Sequence, residues 1–227
     1  MLILALDTTT AAGSCALVGA GRVVREEASD TGRPQAARLP GELAALLART
    51  GVALGGIDAF AVGTGPGSFT GLRIGIATMQ GLAVATGKPL FGVSALDALA
   101  RLTTDRPRAT DRVAAWIDAW RGEVYGALYL GVRAVEGPVV APPRDLLRAM
   151  AGHATLFTGD GARVYRETIH AALGDAADFT DPVAPLLAGA MAELAAEAFD
   201  AGQRPWPDAI RPLYVRRPDA ELARDRT

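Results

Sequence analysis

The stretch GTGPGSFTGLRIG, residues 63–75, limits the fold more than any other part of the sequence, because it contains five glycines and one proline and ends in a segment with helical spacing. Glycine allows positive φ and close backbone approach, and proline stiffens a bend. Ser68 or Thr70 is placed to cap the helix that follows. The stretch therefore predicts a sharp strand-to-helix connection. It serves either as a turn packed by its own chain or as an anion-binding loop at a helix N terminus.

Three phosphate-binding or catalytic glycine motifs do not match this stretch. A Walker loop requires a lysine directly before Ser or Thr, whereas Lys88 is the only lysine of the chain. Gly65, Gly67 and Gly71 are spaced G-x-G-x-x-x-G, one residue longer than the dinucleotide fingerprint. A nucleophile elbow has glycine two residues before its serine, where Ser68 has a proline.

Side chains that commonly carry catalysis are few. Cys15 is the only cysteine and lies in an apolar segment, which predicts a buried structural thiol and fits a reducing cytoplasm. His153 and His170 are the only histidines, too few and too far apart to indicate a zinc site or a serine triad. A self-sufficient catalytic constellation is therefore not expected.

Length and charge restrict the class of protein. With 227 residues, half of them hydrophobic, the chain forms one large or two small domains with a sizeable core. A formal net charge of −2 gives the chain no overall electrostatic attraction to nucleic acid or anionic membranes. The opening MLILALDTTT has no basic start or long apolar stretch. We therefore expect a cytoplasmic protein without a signal peptide or membrane span.

Apolar runs and helical spacing alternate through the first half of the chain. This mixture indicates an α/β layered domain. The predicted strands cover 2–6, 14–19, 22–28, 57–63 and 90–94, and the predicted helices cover 34–49, 70–86 and a segment capped by Ser94 that runs to Leu102.

A polar, proline-containing segment, residues 103–111, predicts a boundary between a first lobe, 1–103, and a second lobe, 111–227. After it the opening pattern recurs: ALDTTTAAGSCALV and WIDAWRGEVYGALY both have an apolar strand, an aspartate, a turn and a second strand. Asp7 and Asp118 occupy equivalent positions in these two patterns. Two similar lobes would form a cleft between these aspartates, which either coordinate Mg²⁺ or cap strand-end turns. Further helical stretches are expected at about 161–173 and 183–200.

The helix after the glycine stretch carries small residues at helical spacing. Gly71 and Gly75 are four residues apart, and so are Ala77, Gly81 and Ala85. Small side chains let another helix approach closely. Packing against the domain's own sheet accounts for one covered side of this helix. A second covered side indicates contact with another chain.

Motifs in this order closely resemble the bacterial TsaB family, formerly called YeaZ. They cover nearly the whole chain: ALDTTT, GTGPGSFTGLRIG, GLA, GVSALDALA, IDAWRGEVY and PLYVRR. Trp120 stands where members usually have arginine, and Pro34 replaces a frequent histidine. The resemblance implies the actin-like fold of sugar kinases and heat-shock ATPases, with two lobes of which the second is reduced.

The resemblance also implies a function. Members are non-catalytic partners of the related TsaD, which carries metal-binding histidines and makes N6-threonylcarbamoyladenosine at position 37 of tRNAs reading codons that begin with A. TsaE, an ATPase, joins the assembly, so ATP and metal are expected on partner subunits and tRNA only within the complex. This chain has Pro34, Gln35 and Arg38 where a TsaD-like first helix would need histidines.

Homodimers and TsaB–TsaD heterodimers of this family form through the first two helices, which correspond here to 34–49 and 70–86. The expected interface residues are Leu39, Leu43, Leu46, Leu47, Ile74, Ala77, Thr78, Met79, Gly81, Leu82 and Ala85, with the leucines divided between core and interface.

A weak nucleotide or anion site is expected at Asp7, Thr8, Gly67, Ser68 and Asp118. The alternative function is a stand-alone actin-fold phosphotransferase or a glycoprotease-like hydrolase. The basic tail contains Arg211, Arg216 and Arg217. These residues either contact tRNA in the assembled complex or form a solvated surface, and the sequence leaves both possibilities open.

Overall fold

A computed structural model describes residues 1–30, 32, 34–104 and 112–216. The first sheet has the strand order β3-β2-β1-β4-β5. In its central strand β1, Ile3 and Ala5 face one layer of helices while Leu4 and Leu6 face the other, because successive strand residues point to opposite faces. The continuous apolar run therefore buries both faces of the sheet. The strands are β1 (Leu2–Asp7), β2 (Ser14–Gly19), β3 (Arg22–Ala28), β4 (Ala59–Gly65) and β5 (Leu90–Ser94).

The second sheet repeats this topology. Its order is β10-β9-β6-β7-β8, and β6 pairs antiparallel with β7 and parallel with β9, as β1 does with β2 and β4. The recurrence seen in the sequence thus corresponds to two lobes of the same strand arrangement. The sequence did not predict β8 or β10. The strands are β6 (Arg112–Asp118), β7 (Val124–Leu130), β8 (Arg133–Ala141), β9 (Thr155–Thr158) and β10 (Ala177–Phe179).

Helices cover the outer faces of both sheets and fill the layer between them. The outer layer of the first sheet is α1 (Gln35–Thr50) and α2 (Phe69–Thr86). The central layer is α3 (Ala95–Arg101) and α7 (Ala188–Asp200). The second sheet is covered by α4 (Pro143–Met150), α5 (Asp160–Val164) and α6 (Arg166–Leu173), which are much shorter than α1 and α2.

The last third of the chain differs from the prediction in two places. The stretch expected as one helix at 161–173 is divided at Tyr165 into α5 and α6. The helix expected from residue 183 begins at Ala188. Pro185 lies in the extra part, and proline disfavours helical backbone in the residue before it.

The end of the described chain returns to the first lobe. Helix α7 packs against β1, β2 and β4, and Ile210 joins the core beneath α1 and α2. The Leu213 N–H donates to the Thr64 carbonyl oxygen at 2.7 Å. Residues after 111 therefore also cover the first sheet. Residues 105–111 of the predicted linker lie outside the described residues, so the domain boundaries stay a prediction.

Cys15 lies in β2 with only 2% of its surface exposed. Burial raises the pKa of its thiol to about 12, which agrees with a structural rather than a nucleophilic role. Of the helices in the described ranges, none has the length and apolar character needed to cross a membrane.

Candidate functional site

The glycine stretch is packed by its own chain. A Cβ added at Gly67 would lie 2.2 Å from the carbonyl oxygen of Thr9, and one at Gly71 would lie 2.4 Å from the carbonyl oxygen of Thr8. A Cβ at Gly75 would lie 2.2 Å from Thr8 Oγ1. These glycines therefore bring the start of α2 into direct backbone contact with the loop after β1.

The N terminus of α2 is likewise satisfied within the chain. The Ser68 hydroxyl caps the helix by accepting from the Gly71 N–H at 3.2 Å, and the Ser68 N–H donates to the Thr9 carbonyl oxygen at 3.1 Å. Asp7, Thr8, Gly67 and Ser68 of the expected anion site thus lie around the junction of the β1 loop with α2, whereas Asp118 lies at the end of β6 in the second lobe. Thr8 and Thr9, however, fill the space beside the glycines.

Asp7, at the end of β1, is buried and holds the following turn. Its carboxylate accepts hydrogen bonds from the Thr9 N–H at 2.8 Å, the Thr9 hydroxyl at 2.6 Å and the Thr10 hydroxyl at 2.9 Å. Burial raises the pKa of Asp7, and these hydrogen bonds offset part of the increase. Three protein donors on one carboxylate favour the turn-capping interpretation over an open Mg²⁺ ligand.

Asp160, which was not among the expected site residues, is the acid of the second lobe whose charge acts on Asp7. Its carboxylate accepts from the Asp118 N–H at 3.0 Å. Burial raises the pKa of Asp160, and its charge adds to the raised pKa of Asp7. Asp118 itself accepts from the Trp120 N–H at 3.1 Å. The sequence TLFTGDG did contain an indication of this residue. A strand is followed there by a glycine and the start of a helix, as at Gly67 and Ser68.

The two histidines make their side-chain contacts within the second lobe, away from Asp7. His153 and His170 are exposed, with Nδ1 near the carbonyl oxygens of Ala151 and Gly174. Within residues 1–30, 32, 34–104 and 112–216, no three His, Cys, Asp or Glu side chains are grouped to hold a metal ion.

The described basic tail residues have intramolecular contacts. Arg211 donates to the Ile210 carbonyl oxygen at 3.0 Å. Arg216 donates to the Ala119 carbonyl oxygen at 2.8 Å and pairs with Glu123. Arg217 lies outside the described residues.

The outward side of α2 carries the small residues singled out in the sequence. Ala77, Gly81 and Ala85 are exposed, whereas Met79 is fully buried in the core. The expected interface residues Ile74, Thr78 and Leu82 are half-buried at the sides of the helix. Among the described residues, no atom outside the backbone of the helix itself lies within 4 Å of a Cβ built at Gly81, so packing in this part of the chain gives no reason for glycine there.

The leucines of α1 require a correction. Leu39, Leu43 and Leu46 are 0–3% exposed and pack against the first sheet, and Leu47 is half-buried. Leu39, Leu43 and Leu46 therefore belong to the core and not to the expected interface, whereas the interface role of Leu47 stays a prediction. The large apolar side chains of α1 face the sheet, because burying them there removes more apolar surface from water than burying the alanines would. The opposite side of α1 exposes Ala36, Pro40, Gly41, Ala44 and Ala48.

Together the two helices form what we call the α1–α2 outer face. Charged residues are exposed on these helices only at Arg49 and Arg73, near the ends. A helix that faces water normally has a polar outward side, and this signal in α1 could have been found in the sequence. The face consists of Ala36, Pro40, Gly41, Ala44, Ala48, Ala77, Gly81, Val84 and Ala85, among which Val84 is 69% exposed.

Comparison with known proteins matches residues 23–223 to the family model described as TsaD: tRNA N6-adenosine threonylcarbamoyltransferase. An uncharacterized protein of Mycobacterium leprae is 35% identical over 97% of this chain, which spans 56% of that relative. The tRNA threonylcarbamoyladenosine biosynthesis protein TsaB of Escherichia coli is 44% identical over 129 residues, 57% of this chain and 55% of that protein.

Solved structures agree with the sequence relatives. YeaZ from Pseudomonas aeruginosa superimposes with a TM-score of 0.77 at 34% identity, covering 94% of this chain and 99% of that one. A Bacteroides thetaiotaomicron protein described as having an actin-like ATPase fold gives a TM-score of 0.50 at 8% identity, covering 86% of this chain and 95% of that chain, and supports the fold alone. The predicted actin-like architecture is confirmed. The chain therefore belongs to the TsaB, or YeaZ, family of TsaD-like proteins.

Proposed function

We propose that this protein is a non-catalytic subunit that binds TsaD through the α1–α2 outer face during N6-threonylcarbamoylation of adenosine 37 in tRNA. Its family membership indicates the broader role, participation in the biosynthesis of threonylcarbamoyladenosine in tRNA. The observation that carries the proposal of an interface is the outward side of two neighbouring helices built from small apolar residues.

The chemistry of this face fits a partner that presents helices of its own. Small residues allow helix axes to approach at the short end of the usual range of about 8–10 Å. Gly81 adds to the argument, because glycine in a helix interior costs about 1 kcal/mol relative to alanine, and no described residue occupies the space beside it. The cost is explained if a partner backbone needs that space. This chain matches the TsaD family model, so TsaD and a second copy of this chain are expected to share one fold. We therefore propose a heterodimer and a homodimer on the same face.

The contacts of the candidate reactive groups support a non-catalytic role. Asp7 uses its carboxylate to hold the turn at Thr9 and Thr10. Asp160 accepts from the backbone of Asp118, and Cys15 is buried in the sheet. In the proposal, ATP and metal bind to partner subunits, TsaE joins the larger assembly in the cytoplasm, and tRNA is bound only by the complex.

The interface is tested with two exposed alanines that receive the same substitution. Ala85→Leu alters the α1–α2 outer face, and Ala172→Leu on α6 is the matched control. Overpacking costs about 1–3 kcal/mol, which corresponds to roughly a tenfold to hundredfold weaker association. We expect Ala85→Leu and Gly81→Leu to weaken capture of TsaD from the same genome by this factor, measured by titration after circular dichroism confirms folding. The control should bind as the wild type does.

Wild-type association by folded Gly81→Leu and Ala85→Leu variants would place the interface elsewhere. The catalytic part of the proposal is tested by reconstituting tRNA modification with each subunit omitted in turn. We expect modification to require both this chain and TsaD, and the purified chain alone to show no ATPase or peptidase turnover. Robust turnover that Asp7→Ala abolishes would instead support the phosphotransferase or glycoprotease-like alternative.

A further inference from the structure

Arg73 is an exposed side chain near the start of α2 that two aromatic residues hold in place. Its guanidinium carbon lies 3.9 Å from the centre of the Phe69 ring, and its Nε donates to the hydroxyl of Tyr214 at 2.9 Å. The centres of the two rings are 5.1 Å apart, and Phe69 is 45% and Tyr214 40% exposed. A cation is attracted to the face of an aromatic ring, so the stack and the hydrogen bond together fix a side chain that is flexible by itself.

The two Nη groups of Arg73 are available to a further partner. Within residues 1–30, 32, 34–104 and 112–216, the side chain interacts with Phe69 and Tyr214 alone, and its one hydrogen bond there comes from Nε. A guanidinium presents its N–H donors as a planar fork that fits both oxygens of a carboxylate. Because Arg73 is already held in place, it loses little freedom when such a group binds.

This cluster is continuous with the α1–α2 outer face. Arg73 lies four residues before Ala77 and therefore on the same side of α2. Arginine and tyrosine are among the residues that contribute most to the affinity of protein interfaces. We propose that Arg73 binds a carboxylate of TsaD at the edge of this face, an inference that rests on the proposed function because it takes TsaD as the partner there.

The cluster also distinguishes between the two proposed partners. In a homodimer on this face, both copies present the same residues to each other. The charged residues exposed on α1 and α2 are Arg49 and Arg73, so the helices of a second copy supply no exposed carboxylate for Arg73. Like charges across an interface repel each other. Arg73 therefore favours the heterodimer over the homodimer.

The test measures TsaD binding by titration calorimetry and homodimer formation by light scattering, for the wild type and for Arg73→Gln. Arg166→Gln is the matched control, because Arg166 lies on α6 and is likewise stacked over a ring, that of Phe179, at 4.2 Å. We expect Arg73→Gln to weaken TsaD binding by roughly tenfold to hundredfold, the usual effect of losing a hydrogen-bonded charge, and to leave the homodimer unchanged or stronger. The control should behave as the wild type does in both assays.

A second variant and the salt concentration separate recognition of a carboxylate from packing. Arg73→Lys keeps the charge but not the planar fork, so it should retain only part of the wild-type affinity for TsaD. Binding of the wild type should weaken as salt is raised, and more steeply than binding of Arg73→Gln, because dissolved ions screen exposed charges. Wild-type binding that does not change with salt refutes the proposal even if a variant does not fold.

The outcomes separate this inference from the proposed function. If Gly81→Leu weakens TsaD binding and Arg73→Gln does not, the face stands and the pairing with a carboxylate is wrong. If neither variant weakens it, the proposed face itself is wrong. An equal loss of TsaD binding and of homodimer formation by Arg73→Gln would show a packing role and refute the pairing. Normal TsaD binding with weaker binding of tRNA by the assembled complex would mean that Arg73 contacts RNA, which also refutes it.

Discussion

The same substitution at two glycines of α2 should change stability in opposite directions. Gly71 faces the loop after β1, where a Cβ would lie 2.4 Å from the carbonyl oxygen of Thr8. Gly81 is exposed, and a Cβ there would meet no atom of another described part of the chain within 4 Å. Both glycines lie in α2, Gly71 in its first turn and Gly81 in its interior, and the helix preference of alanine favours both variants. The opposite sign expected at Gly71 therefore reports its packing.

The magnitudes follow from these two environments. Replacing glycine by alanine in a helix interior stabilises it by about 1 kcal/mol. At Gly71 the opposing atom belongs to the backbone, which cannot rotate away, so overpacking should reach the upper part of its usual range, about 3 kcal/mol. We expect Gly71→Ala to lower the free energy of unfolding by about 2 kcal/mol and Gly81→Ala to raise it by about 1 kcal/mol.

Thermal unfolding measures both effects. For a chain of this size 1 kcal/mol corresponds to a change in Tm of about 2–4 °C, so Gly71→Ala should lose about 4–8 °C. The measurement is made at concentrations where light scattering shows a monomer, because Gly81 lies on the α1–α2 outer face and an added methyl group there also affects association. A Gly71→Ala variant as stable as the wild type would contradict the packing argument, as would a marked destabilisation by Gly81→Ala.

Two further predictions concern buried ionisable groups. Because burial raises the pKa of Asp7 in the folded chain above its ordinary value of 3.8, the unfolded state loses its proton first and stability declines as pH rises above that value. The Asp7→Asn variant should therefore gain stability relative to wild type as the pH rises above 3.8 in urea titrations, and a pH-independent difference would contradict this. Cys15, with a pKa of about 12, should react with Ellman's reagent at pH 8 only as the chain unfolds; immediate labelling of the native protein would refute its burial.

The sequence predicted the first lobe well because its strands are continuous apolar runs. The buried residues of β1 and β4 leave little choice of structure, and Gly87 ends α2 in the left-handed conformation that glycine adopts readily. In contrast, β8 was missed. Seven of its nine residues are exposed, and it contains Gly137 and Pro138, so neither alternation nor apolar run marks it as a strand. Its pairing with β7 is what makes it a strand.

The candidate site was predictable in kind but not in every residue. Helical spacing shows that Leu39, Leu43 and Leu46 share a face, yet spacing alone does not say whether that face meets the chain's own sheet or another protein. The size of the side chains decides it, since the larger apolar surface goes to the core. Asp160 was missed for a different reason. The repeat in the sequence pairs the two strand-end aspartates, Asp7 and Asp118, whereas in the structure the charge that acts on Asp7 is that of Asp160, at the start of a helix in the second lobe.

The inner and outer glycines of α2 have connected consequences. On the inner side, Gly71 and Gly75 already place the helix in direct contact with Thr8, so α2 has no room to move toward the sheet. A large side chain at Gly81 cannot be accommodated by shifting the helix inward, because protein interiors are close-packed and yield little. The extra volume must then displace the partner. For this reason we expect the cost of Gly81→Leu to fall on association rather than on folding, and a variant that is destabilised as a monomer but still binds TsaD normally would show that α2 can yield.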